Sequence, residues 1–162
     1  MKKGILLLAC LALACLSACA NKKLASLSLK TFPNPSPLEV VAKLPFSPGN
    51  VSVCPNGRIF VSVHQFRPAP VRVIEVLPPN LYRPFPNAVW NQQGVSSERR
   101  FVAPLGVQCD SHNVLWIVDN GNGRAVVPPK LLAFDVSSGK EVYYFQFPED
   151  VAPRGSFVQD LA

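Results

Sequence analysis

Histidine is nearly missing from this chain, with only His64 and His112 among 162 residues. No serine accompanies either of them in the Gly-x-Ser-x-Gly turn that exposes a hydrolase nucleophile, and Ser52 and Ser62 sit in plain strand context, so serine-hydrolase chemistry is unsupported. Basic stripes are missing as well. Beyond the first few residues the adjacent basic pairs are Lys22-Lys23 and Arg99-Arg100, no aromatic residues interleave with them, and a nucleic-acid partner is set aside. Stretches of helix formers are few, while 17 prolines and many short β-branched runs point to an all-β protein. No apolar run reaches the roughly 20 residues that cross a hydrocarbon core.

What is present begins with Met1-Lys2-Lys3, an apolar run from Gly4 to Leu16, and then Ser17-Ala18-Cys19. Charged, apolar and small-residue zones in that order make a signal peptide over residues 1–18. Leu16-Ser17-Ala18-Cys19 resembles the lipobox of bacterial lipoproteins, which implies lipidation of Cys19 and a membrane-lipid partner. Each buried CH₂ of an acyl chain adds about 0.8 kcal/mol, so several chains on one cysteine make a lasting tether. The expected location is therefore extracytoplasmic, anchored to the cell envelope, with the outer membrane allowed. Removing residues 1–18 takes away two lysines and no acids, which lowers the formal charge from +6 to +4. Residues 19–38 follow with repeated proline and serine and little apolar periodicity, and read as an extended linker.

From residue 39 onward the chain repeats. Asn50 to Val63 aligns at an offset of 55 residues with Gly106 to Val118, each a strand, a tight polar turn and a second strand. Pro55-Asn56-Gly57 and Asp110-Ser111-His112-Asn113 supply turns whose Gly and Asn tolerate positive φ. Val71 to Val76 and Leu131 to Val136 correspond as third strands, and Ser137-Ser138-Gly139-Lys140 turns the second unit into Glu141 to Phe147. A third unit is expected to start at Phe157-Val158-Gln159-Asp160-Leu161-Ala162. Four-stranded units at this period are the pattern of a β-propeller. Residues 39–162 thus read as two blades and the start of a third, and the chain as a fragment of a longer product, with little activity of its own and exposed sheet edges. Cys54 and Cys109 occupy equivalent places in the two units. Equivalent points on neighbouring repeats usually lie beyond the roughly 7 Å that a disulfide spans, so both are expected as buried thiols.

Several runs are similar to the yellow and major royal jelly proteins: Gly49 to Phe66, Pro84-Phe85-Pro86-Asn87 with Trp90-Asn91, Leu105 to Gly121, and Phe147-Pro148-Glu149-Asp150 with Pro153-Arg154-Gly155-Ser156-Phe157. The resemblance implies a six-bladed propeller in the complete domain. For activity it implies dopachrome conversion, binding of small amines, or a nutritive or structural role. Relatives grouped with gluconolactonase-type propellers hold a divalent metal, such as Ca²⁺, in the central channel. At the corresponding positions stand Asn50, a neutral amide where those enzymes carry glutamate, and Asp160, beside Gln159. Hard cations prefer carboxylate and carbonyl oxygens, which weakens a metal site built on these two.

The remaining candidates for ligand binding are His64, Trp90, Asn91, Asp119 and Asn120. Asp119-Asn120-Gly121 directly follows a strand, as a loop at the channel mouth would, or as a structural loop in which Asp119 caps backbone amides. Trp90, with Phe85 and Tyr82, has the chemistry to line a pocket for an aromatic amine or to pack between blades. His64 ends a strand, facing the channel or bonding within its loop. Glu149-Asp150 reads as solvated acids. Two functions follow: an exported propeller that binds or converts a small molecule, or a non-enzymatic binding propeller.

Overall fold

The computed structural model describes residues 38–93, 99–121 and 127–161. The signal peptide, Cys19 and all but the last residue of the linker lie outside the described residues. Eight strands follow in chain order: β1 (Pro48–Val53), β2 (Ile59–Val63), β3 (Val73–Leu77), β4 (Leu81–Pro84), β5 (Pro104–Cys109), β6 (Val114–Asp119), β7 (Lys130–Asp135) and β8 (Glu141–Gln146). They form two four-stranded antiparallel meanders, β1-β2-β3-β4 and β5-β6-β7-β8, with no helix among the described residues. Each sheet has the strand order of a propeller blade.

The repeat fixes both hairpins in the same way. Ser52 faces Phe60 across β1 and β2, and Gln108 faces Trp116 across β5 and β6, with an irregularity near the start of β1 and again near the start of β5. The turns use the residues the sequence offers: Gly57 has φ 82° and Asn113 has φ 60°, conformations in which a bulkier residue would be strained. Strand β4 had no sequence signal of its own. Residues 157–161 carry no strand, although the Gly106 N–H donates to the Gln159 carbonyl at 2.8 Å and brings this segment beside β5.

The principal core lies between the two sheets. Phe60, Val73 and Phe85 on the first side meet Leu115, Ile117, Leu132 and Phe134 on the second, with Trp90 and Phe101 from the connecting segment filling the seam. Trp90 packs edge-to-face on Phe134 at 5.1 Å and tilted against Phe101 at 5.3 Å, centroid to centroid, and aromatic pairs of this kind add to the area they bury. The far face of the first sheet has a core of its own, in which Val61, Val63, Ile74 and Val76 are packed by Leu44, Phe46 and Tyr82. At one end of the first sheet Glu75, buried, accepts from Arg58 Nε at 2.7 Å, Arg58 Nη2 at 2.6 Å and Arg83 Nε at 2.7 Å. Burial acts to raise this carboxyl, but the hydrogen bonds and charges of Arg58 and Arg83 outweigh it and hold Glu75 below the usual carboxylate range. Arg58 also donates to the Val136 carbonyl, which ties the two sheets together.

The two cysteines correct the sequence reading. Cys54 and Cys109 form a disulfide, with their Cα atoms 5.1 Å apart. The expectation of distant thiols treated the repeats as side-by-side copies with one uniform spacing. The β1-β2 hairpin instead converges on β5, the first strand of the second sheet: Ser52 Oγ of β1 accepts from the Cys109 N–H at 2.8 Å, and Ser62 Oγ of β2 donates to the Leu105 carbonyl at 2.7 Å. Equivalent positions at this convergence fall within disulfide reach.

Candidate functional site

One end of the fold gathers most of the residues singled out above. Asp119 closes β6, lies opposite Pro104 of β5 and Lys130 of β7, and Lys130 in turn lies opposite Gln146 of β8. The ends of β2 and β6 and the starts of β3 and β7 meet their loops here, beside the segment that connects the sheets.

Asp119 is the hub. It is fully buried, and its Oδ2 accepts from the Val102 N–H at 2.8 Å while its Oδ1 accepts from the Ala103 and Gly121 N–H groups at 2.8 and 3.0 Å. Lys130 Nζ stands 3.4 Å from Asp119 Oδ2 with its side chain 1% exposed. An ammonium so far from water needs a compensating partner, and Asp119 is that partner. Gly121, at φ 64°, lets the chain turn away: a Cβ there would overlap the Val127 carbonyl oxygen.

Asn91 does the same work for the loop before β3. Its Oδ1 accepts from the Arg72 and Val73 N–H groups at 2.7 and 2.9 Å, and its Nδ2 donates to the Phe85 and Asn87 carbonyls at 2.9 and 3.0 Å. All four hydrogen-bonding positions of the amide are thereby used. Asn120 is buried, its N–H donating to the Ala103 carbonyl and its Oδ1 accepting from the Val158 N–H at 2.8 Å. Trp90 is in the seam and its neighbour Phe101 donates N–H to the Trp90 carbonyl at 2.8 Å. His64 is half-buried, its Nδ1 accepting from the Phe66 N–H at 3.2 Å and its ring resting 4.3 Å from the Phe66 ring. Asp119, Asn120, Asn91 and Trp90 thus share one network at the seam, whereas His64 is occupied within its own loop.

The same network brings together cations that the sequence reading passed over. Arg72 is the residue whose N–H Asn91 holds, Arg100 precedes the Phe101 that bonds Trp90, and Lys130 faces Asp119. Arg72 Nη1, Arg100 Nε and Lys130 Nζ are all buried atoms without a hydrogen-bond partner. Burial lowers the Arg72 pKa from its ordinary value, the Asp119 carboxylate opposes that, and the like charge of Arg100 adds to it. Nothing in the sequence marked these three as belonging together: Arg72 and Arg100 come from separate loops, Arg100 stood out only as half of the Arg99-Arg100 pair, and Lys130 only as a lysine opening an apolar strand.

Asn50 and Asp160 do come together, with Asn50 Nδ2 donating to Asp160 Oδ1 at 3.4 Å. That oxygen also accepts from the Leu161 N–H at 2.9 Å, and Asp160 is exposed. One carboxylate and one amide fall well short of the six to eight oxygens that Ca²⁺ takes, and no group of three His, Cys, Asp or Glu suited to a metal occurs among the described residues. These two residues alone do not fit a divalent-metal centre. Glu149 and Asp150 are exposed. Glu149 forms part of the wall of a cavity of about 330 Å³, together with Gln146, Phe147, Arg154 and Ser156.

The family model described as "Major royal jelly protein" matches residues 102–162, the stretch that holds the whole second sheet and the Asp119 hub. Among curated proteins the chain is similar to "Major royal jelly protein 8" of Apis mellifera, 30% identical over 79 residues. That match covers 44% of this chain and 18% of the honeybee protein, so the chain spans under a fifth of its relative's length.

Proposed function

Taking the chain as a relative of the yellow and major royal jelly proteins, we propose that it is an exported, lipid-tethered propeller segment that binds a small molecule at the loop end where Asp119, Lys130 and Gln146 meet. The observation that carries this reading is the cavity of about 330 Å³ at that end, with Gln146 in its wall. Small-molecule sites start at roughly 300 Å³ and combine an apolar lining with a few polar groups; here Phe147 and the prolines of 128–129 supply the first and Gln146, Glu149, Arg154 and Ser156 the second. Binding is favoured over conversion because the buried polar side chains of the seam, Asp119, Asn91 and Asn120, spend their hydrogen bonds on the backbone. Groups used in that way hold a site in shape and are not available as acid or base.

The lipobox-like Leu16-Ser17-Ala18-Cys19 supports the extracytoplasmic half of the proposal, and the Cys54–Cys109 disulfide suits an oxidising compartment. The test is a thermal-shift panel on the purified full chain with tyramine, gluconolactone and succinate, each also followed by chromatography for product. A saturable rise in melting temperature with no product supports binding. Turnover of gluconolactone would replace it with an enzymatic reading, and silence throughout the panel would overturn it. Metabolic labelling with radioactive palmitate tests the tether: label that survives Cys19→Ser contradicts it.

A further inference from the structure

We propose that Arg72 and Arg100, beside the Lys130–Asp119 ion pair, form a site for a small-molecule oxyanion, a carboxylate or phosphate group taken at the seam between the two sheets. The inference rests on the reading of this end of the fold as the ligand-binding end, and names a position there whose residues are not in the wall of the cavity described above.

The argument starts from the balance of charge. Hydrogen bonds to the backbone bring the three residues' segments to one end of the fold: Asn91 accepts from the Arg72 N–H and donates to the Phe85 carbonyl, the Phe101 N–H beside Arg100 donates to the Trp90 carbonyl, and Asp119 accepts from Val102 and Ala103 while pairing with Lys130. With Asp119 paired to Lys130, the charges of Arg72 and Arg100 have no counter-charge among these groups. Asp119 has little more to offer, since it already accepts three backbone N–H groups. Lys130 has Asp119 as its ion-pair partner, whereas Arg72 Nη1 and Arg100 Nε are buried nitrogens that no acceptor meets. Buried donors normally find partners, and one left orphaned is a demand for an acceptor from outside.

The chemistry of the donors sets the ligand class. Two guanidinium forks and an ammonium present donors only, and guanidinium geometry matches the paired oxygens of a carboxylate or phosphate. A neutral ligand would leave the excess charge in place, and a cationic amine would add to it. Arg72 and Arg100 are half-buried, so part of each guanidinium is open to a ligand, while Lys130 is buried against Asp119.

The test is calorimetric titration of the purified full chain with inorganic phosphate and with succinate, beside tyramine and gluconolactone. Saturable binding of phosphate or succinate is expected, with Arg100→Gln and Arg72→Gln each weakening it about tenfold or more, and Arg100→Lys retaining part of it. Lys140→Gln, on the exposed turn before β8, controls for bulk charge; an equal loss in that variant overturns the proposal. So does unchanged affinity in Arg100→Gln, whose side chain is open enough for the fold to tolerate it, as circular dichroism would verify. Co-sedimentation with phosphatidylglycerol vesicles, lost in Arg100→Gln, would identify a lipid headgroup as the source of the oxyanion, and titration without co-sedimentation a soluble acid. Binding of tyramine or gluconolactone without either anion overturns this inference and leaves the small-molecule reading intact, whereas no binding by any of the four overturns both.

Discussion

Asp119 and Lys130 form a buried ion pair whose two members depend on each other unequally, and substituting them one at a time exposes the difference. In Asp119→Asn the remaining carbonyl oxygen can keep the Ala103 and Gly121 N–H groups, but the amide nitrogen then faces the Val102 N–H and the Lys130 ammonium, donors against donors. One orphaned backbone donor costs about 1–3 kcal/mol, and an unpaired buried charge about 3–5 kcal/mol. The sum, roughly 4–8 kcal/mol, rivals the whole stability of a typical domain, about 5–15 kcal/mol. In Lys130→Met the carboxylate loses one contact at 3.4 Å and retains three backbone donors, so the expected cost is only about 1–2 kcal/mol. Urea unfolding followed by circular dichroism on the full chain measures both. The double variant Asp119→Asn/Lys130→Met should be more stable than Asp119→Asn alone, because the ammonium that most resents the change has gone. If Lys130→Met proves as damaging as Asp119→Asn, or the two costs simply add, the assignment of Asp119 as the hub is refuted.

Three further outcomes follow from the fold. Reduction of Cys54–Cys109, or its replacement by serines, releases a loop of 55 residues and should lower stability by about 4 kcal/mol on the chain-entropy account; an unchanged urea midpoint under dithiothreitol would contradict the staple. Glu75 is held below the usual carboxylate range by Arg58 and Arg83 against the upward push of burial. With a folded pKa lower than the unfolded one, its contribution is complete above the ordinary value of 4.5 and is lost as pH falls through the lowered folded value. The acid limb of a stability-versus-pH curve should therefore flatten in Glu75→Gln, and an identical slope would remove Glu75 from the account. Gly121→Ala places a side chain at φ 64° against the Val127 carbonyl, which should cost about 2 kcal/mol or more; a midpoint equal to that of the parent would show the turn to be free to relax.

Much of the architecture is legible in the chain because it is written twice. Val53-Cys54 and Gln108-Cys109 lead into turns carrying Gly57 and Asn113, and both turns have the positive φ their residues suggest. Strand β4 was hidden since Leu81-Tyr82-Arg83-Pro84 is short and ends in proline; its partners on β3, with Ile74 opposite Pro84, hold it in the sheet, and local propensity does not. The disulfide escaped for a different reason, as the sequence carries the repeat but not the angle at which two sheets converge. Asp119, Asn120 and Asn91 were visible as polar residues in loop contexts. The grouping of Arg72, Arg100 and Lys130 was not, because they lie far apart in the chain, Arg100 as half of the Arg99-Arg100 pair and Lys130 as the first residue of β7, and only the fold brings their segments to one end.

The measurement closest to the heart of the account is an NMR titration that follows the arginine Nε–Hε resonances of the full chain as succinate or inorganic phosphate is added. Binding at the seam should shift the Arg72 and Arg100 signals together and saturably, while Arg58 and Arg83, already committed to Glu75, stay in place. Signals of Arg72 and Arg100 that remain still, or that move no more than those of Arg58 and Arg83, would contradict the claim that this end of the fold receives the ligand.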